Sequence, residues 1–284
     1  MSTNLRKKAL LPIVAMVLVS VIALSSVTYA WFTMSNTASV ENLNVQVTEA
    51  KGIQISLDAE NWASQFTAAD ITEKAYGGNA NQMPEGKIFP VSTNGGVTEG
   101  KMSMYYGELL ATNNLKITKL TDTAGKTGNY IAFDLFFKMA EDTTVSLDTV
   151  SEIVDSNNKG SENSARAAFI YNGVAQTSGD AIALNGAQKT VIWEPNSKDS
   201  SYMGLKSATG DTGVATVNNY VTDTNYAETV TTVEDASDIS FDFKAGINKL
   251  RIYIWMEGQD INCINSASGG YLATTLQFVQ PEKN

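Results

Sequence analysis

Period-two alternation of apolar and polar residues dominates this chain. Leu43, Val45 and Val47 alternate with Asn44 and Gln46, and after Lys51-Gly52 the pattern resumes as Ile53, Ile55 and Leu57 against Gln54 and Ser56. A strand turns successive side chains to opposite faces, so these runs predict two consecutive strands, each burying one face. Residues 130–139 are apolar and aromatic enough for a central strand, with Phe133, Leu135, Phe137 and Met139 on one face and Asp134 and Lys138 on the other. Shorter strands are predicted over residues 165–171, 190–193, 229–233 and 239–243. The strongest C-terminal pair is 249–256 and 271–279, joined by a glycine- and asparagine-rich connection over 258–270. The same-face sets of the strongest segments predict a core containing Phe133, Leu135, Phe137, Leu250, Ile252, Ile254, Leu276 and Phe278.

Helical signals are few. Residues 67–75 form the clearest, with Thr67 as N-cap. Residues 77–101 and 196–218, rich in Gly, Asn, Ser and Thr, are expected to be surface loops. No repeat or composition shift marks a linker, so residues 51–284 are expected to form a single β-sandwich domain with long loops and one or two short helices.

The first thirty residues follow a different pattern. Arg6-Lys7-Lys8 precedes an apolar run over 9–24, which ends in Ser25-Ser26-Val27-Thr28-Tyr29-Ala30. A charged start, an apolar middle and a small-residue end form an export signal, which places cleavage between Ala30 and Trp31. A retained membrane helix is the competing reading, since residues 9–30 approach the roughly 20 apolar residues of a span. Ser20, Ser25, Ser26, Thr28 and Tyr29 dilute the second half and favour the signal. The expected location is therefore secreted, in an extracellular matrix or at the cell surface, with membrane contact only through the uncleaved signal.

Removing residues 1–30 takes three of the 20 basic residues and none of the 30 acidic ones, which leaves a net charge of −13. Such a surface disfavours nucleic acid as a partner. The single cysteine, Cys263, excludes an internal disulfide; it reads as a buried or idle thiol, with a link between two chains as the alternative. The absence of histidine removes Ser-His-Asp, Cys-His and HExxH chemistry. No catalytic, cofactor or metal residues are assigned, and the chain is not expected to be an enzyme. A bound metal would need oxygen ligands, which suits calcium better than zinc. The run Asp155-Ser156-Asn157-Asn158-Lys159-Gly160 begins like a calcium loop, but Lys159 and Arg166 occupy ligand positions, so it reads as a turn. Glu257 with Asp260 and Asp58 with Glu60 are the available carboxylate pairs, and each reads as a solvated strand end.

Tyr29-Ala30-Trp31-Phe32-Thr33, followed by residues 42–47, resembles the N-terminus of the camelysin/TasA-like exported proteins of Gram-positive bacteria. Ile55-Ser56 with Asp58 and Trp62, and Ile254-Trp255 with Glu257-Gly258, Asp260 and Cys263, are similar to motifs of a wider set of exported Firmicutes proteins. The resemblance covers the first 60 residues and about the last 35. It implies a jelly-roll-like antiparallel sandwich that polymerises into biofilm matrix fibres, with residues 31–50 as a donor strand completing a neighbouring subunit. On that reading Leu43, Val45 and Val47 form the subunit interface, the main partner is a second copy of the chain, and other matrix or cell-surface components are further partners. The alternatives are a pilin-like polymer that retains its hydrophobic N-terminus after Lys7-Lys8, and a glycan-binding module that stacks sugars on Trp62, Trp193 or Trp255.

Overall fold

The computed structural model describes residues 37–48, 53–73, 81–109, 114–196, 212–216, 230–260 and 262–280. The predicted signal and its junction at Ala30 and Trp31 lie outside them. In chain order the strands are β1 (Ala38–Val47), β2 (Gln54–Ser56), β3 (Trp62–Ala63), β4 (Gln65–Thr67), β5 (Lys87–Ile88), β6 (Ser92–Thr98), β7 (Lys101–Leu109), β8 (Asn114–Leu120) and β9 (Ile131–Met139). They continue as β10 (Thr143–Leu147), β11 (Glu152–Asp155), β12 (Ala165–Ala175), β13 (Lys189–Trp193), β14 (Thr212–Thr216), β15 (Val230–Val233), β16 (Ser240–Phe243), β17 (Gly246–Met256) and β18 (Gly270–Val279). Two short helices, α1 (Ala68–Glu73) and α2 (Ser178–Ala183), sit between them. Thr67 does precede α1, and its amide and hydroxyl both donate to Asp70 Oδ2 at 2.8 Å.

The architecture is an all-β sandwich. One sheet runs β16-β10-β18-β1-β4, with β11 also on β18 and β5 also on β1, and the second runs β15-β13-β12-β17-β9-β2-β3. Their facing sides form one core. Leu43, Val45, Leu276 and Phe278 from the first sheet meet Phe133, Leu135, Phe137, Phe169, Leu250, Ile252 and Ile254 from the second. Phe137 and Phe278 cross the interface edge to face at 5.0 Å, a geometry that puts the positive ring edge on the negative ring face. All eight residues expected in the core are in it.

Three expectations are corrected. Strands β17 and β18 do not pair: β17 lies between β12 and β9 in the second sheet, while β18 lies in the first. Pairing is mostly antiparallel, yet β1 runs parallel to β18 and β13 parallel to β15. The supposed loops over 77–101 and 196–218 contain β5, β6 and β14. The polar composition of β6 and β14 hid them because, with β7 and β8, they form a third, four-stranded sheet rather than a wall of the main core, whereas β5 is a two-residue strand on β1. Met102 and Met104 of β7, together with Val91, cover Ala168, Ile170, Tyr253 and Trp255 on the outer side of the second sheet. The middle strands of that sheet are thereby buried on both faces, which accounts for the near-continuous apolar runs of β9, β12 and β17.

Candidate functional site

Val45 of β1 is fully buried, and Leu43 and Val47 are nearly so, all facing the core. On one side β1 is paired with β18 along its whole length, interrupted by an irregularity between Val40 and Asn42. On the other side its partners are short. Strand β5 takes Ala38 and Ser39, and β4 takes Asn44, Val45 and Gln46. Between them lies a cavity of about 400 Å³ bordered by Val40, Glu41, Met83 and Lys126. The segment expected to form the interface thus fills a slot in its own sandwich, held firmly along one edge and in patches along the other.

The two short motifs resolve into local chemistry. In the first, Asp58 Oδ1 accepts from the Ser56 hydroxyl at 2.9 Å and from the amides of Glu60 and Asn61 at 2.9 and 2.7 Å, while Oδ2 accepts from Asn61 Nδ2 at 2.7 Å. Trp62 then falls opposite Ser56 in the β2–β3 pair. Burial alone would raise the Asp58 carboxyl, but the bonds from Asn61, Glu60 and Ser56 outweigh it and hold it well below the usual carboxylate range. Asp58 is therefore a turn-former, and Asp58→Ala is expected to cost about 0.5–2 kcal/mol, the range of comparable side-chain caps. A depressed carboxyl contributes its stability above the ordinary pKa and loses it as the pH falls. The wild-type advantage in urea unfolding should accordingly shrink from pH 7 to pH 3.

The second motif is buried, not solvated as expected for Glu257 and Asp260. Both are at most 2% exposed. Trp255 Nε1 donates to Glu257 Oε2 at 3.1 Å, the amide of Gln259 donates to Oε1 at 3.0 Å, and Asp260 pairs with Arg166. Arg166 Nε also lies 3.1 Å from Glu194 Oε1, an ion pair by distance but not an aligned hydrogen bond. Cys263 is buried beside this cluster, and burial pushes its thiol pKa well above the usual range.

A second buried network, unforeseen in the sequence, lies on the outer side of the second sheet. Arg251 Nη1 donates to Asp134 Oδ1 at 3.2 Å and Nη2 to Asp122 Oδ2 at 2.6 Å, while Lys249 Nζ stands 3.3 Å from Asp134 Oδ2. The remaining Lys249 donors reach the carbonyls of Ile182 and Leu184 at 3.0 and 2.9 Å. Tyr130 and Tyr253 donate to Asp122 at 2.9 and 2.8 Å. Burial lowers the Lys249 pKa although Asp134 opposes it, whereas for Arg251 the attraction of Asp134 and Asp122 overcomes burial and raises it. Gln82 closes the same region by donating to the Tyr130 carbonyl at 2.6 Å and accepting from the Thr123 amide at 2.8 Å. Gly128, at φ +106°, is required there because an added Cβ would come within 2.3 Å of the Gln82 amide.

The remaining candidates have structural employment. Trp193 and Trp255 are buried, and Trp193 Nε1 donates to the Glu234 carbonyl at 2.9 Å. Trp62 borders an open cleft of about 630 Å³. The polar groups around it are committed to the protein: Gln176 donates to the Ala245 carbonyl, Ser178 to the Ala59 carbonyl and Thr177 to Asp180, and Lys138 Nζ lies 5.6 Å over the Trp62 ring. Asp155 is likewise consumed as a turn, accepting from the amides of Asn157, Lys159, Ser161 and Tyr271. Gly270 lies against it so closely that a Cβ would stand 2.6 Å from its carboxylate. Among the described residues no group of three or more Cys, Asp or Glu is arranged to hold a metal ion, and no helix is long and apolar enough to cross a membrane. Comparison of the chain with known protein families, curated proteins and solved structures finds no match.

Proposed function

We propose that this chain is an exported structural subunit that assembles with copies of itself into extracellular fibres by exchanging its N-terminal strand. The observation that carries the reading is the setting of β1, whose core face is completely buried while its β4 and β5 side is paired at only two short stretches. Burying Leu43, Val45 and Val47 contributes roughly 1.5–3 kcal/mol each, whereas ordering the backbone costs roughly 1–2 kcal/mol per residue. Side-chain burial alone does not hold such a segment. The ladder to β18 supplies the rest, and the same ladder is available to a β1 from another copy. Only residues 49–52 separate the end of β1 and the residue flanking it from Ile53, which leads into the opposite sheet, so the strand is joined to the body by a short connection.

Deleting residues 31–47 is expected to leave a folded but non-polymerising protein, and a synthetic peptide of that sequence should bind it. Val45→Lys should weaken both peptide binding and assembly, because it places a charge where the wild-type side chain is fully buried between Leu276 and Phe66. Light scattering and electron microscopy read the outcome. A wild-type protein that stays monomeric at high concentration across pH and calcium, or a deletion variant that polymerises as well as wild type, would overturn strand exchange.

A further inference from the structure

The end of the second sheet that meets the residue 257–270 connection holds more carboxylate than its guanidinium can neutralise. Arg166 is the second residue of β12, Glu194 follows β13, and Glu257 and Asp260 follow β17; none of the four is more than 2% exposed. Fully ionised, they would place one positive and three negative charges out of contact with water. Arg166 spends part of its donor capacity on the carbonyls of Ala165 and Asn163, at 3.0 and 3.4 Å. The other titratable neighbours do not restore balance. Glu234, beyond β15, adds repulsion at Glu194, and Cys263 is a thiol that burial keeps neutral. Buried like charges of this kind shed their excess by holding protons.

We propose that Glu194 and Glu257 are the proton-holding residues of a clasp that fastens the turn containing Glu257, Asp260 and Cys263 to β12 and β13, closed while they carry protons and loosened when both ionise. Asp260 makes the closer contact with Arg166 and Glu194 the next, at 3.1 Å, so one guanidinium serves two carboxylates, and burial raises the Asp260 carboxyl as well. Burial raises both glutamates to about 7 against an ordinary 4.5, opposed chiefly by Arg166 at Glu194 and by hydrogen bonds from Ser92, Gln259 and Trp255 at Glu257. The sign follows from proton binding. Between 4.5 and about 7 the closed form binds more protons than the open one, so closure is most favoured below this window and is lost as the pH rises through it. The clasp borders the start of β1, since Gly269 donates to the Thr37 carbonyl at 2.6 Å and Thr37 to the Ser268 hydroxyl at 3.3 Å. It operates whether or not β1 is exchanged between copies.

Cys263 is a built-in reporter, being the chain's one cysteine, 3% exposed, with its amide bonded to the Asp260 carbonyl at 3.0 Å. The full chain would be labelled with a neutral thiol reagent at pH 6 and pH 8, each rate being divided by that of the denatured chain at the same pH to cancel the growth of thiolate. The normalised rate is expected to rise about tenfold or more between the two, since each group changes the equilibrium by up to about tenfold per pH unit. Amide exchange at Phe133, Leu135 and Phe137, normalised likewise, should stay level. The double variant Glu194→Gln with Glu257→Gln should remove the rise, and Glu194→Gln alone should reduce it. A level wild-type rate, a rise matched by the β9 amides, or an unchanged rise in the variants would overturn the clasp. Should the double variant fail to fold, the comparison of Cys263 with β9 in the wild type decides the question alone.

Discussion

Replacing Leu135 or Ile252 with alanine is expected to lower the free energy of unfolding by about 2–5 kcal/mol in each case. Leu135 lies opposite Leu250 and Ile252 opposite Phe133 on the paired strands β9 and β17, and all four are fully buried between the two facing sheets. Each truncation removes buried methyl groups and leaves a void that aromatic neighbours on a rigid double layer do not fill. The loss therefore includes the missing contacts as well as the transfer of the side chain from water. Equilibrium urea unfolding measures it. A loss below about 0.5 kcal/mol at both positions, the size of an ordinary surface change, would mean that the core faces are wrongly identified.

Arg251→Met is expected to cost about 3–5 kcal/mol through a different mechanism. Arg251 stands between Asp134 and Asp122, each at most 5% exposed as a side chain, and its removal leaves Asp122 with hydroxyl donors and no described cation within salt-bridge distance. Lys249 still faces Asp134, so the uncompensated charge is chiefly that of Asp122. Adding Asp122→Asn to Arg251→Met should recover part of the loss, because a neutral amide costs less to bury than a lone carboxylate. Urea unfolding of the single and double variants reads both effects, and a double variant no more stable than Arg251→Met would show that packing, not charge, accounts for the cost.

The sequence alone determined the strongly alternating strands and the sides they bury. Alternation is a local property of the chain, so Leu43, Val45 and Val47, or Leu276 and Phe278, announce their common face without reference to any partner. It also announced the turn at Asp155, whose carboxylate bonds to amides within a few residues, whereas Asp58, read as a solvated strand end, proved to be a turn-former only in the structure. Tertiary structure alone decided the partners. Strands β1 and β2 are consecutive and similarly patterned, yet they entered opposite sheets, and β17 and β18 did the same. A hydrophobic face states that it must be covered but not by what. The buried charges were hidden for the same reason: Asp134, Lys249 and Arg251 occupy outward positions by periodicity, and it is the third sheet, the segments around Gln82 and Asp122 and the end of α2 that take that face away from water. Likewise Arg166, Glu194, Glu257 and Asp260 come from distant parts of the chain, and their shared burial, which makes their protons matter, arises only where β12, β13 and the end of β17 converge.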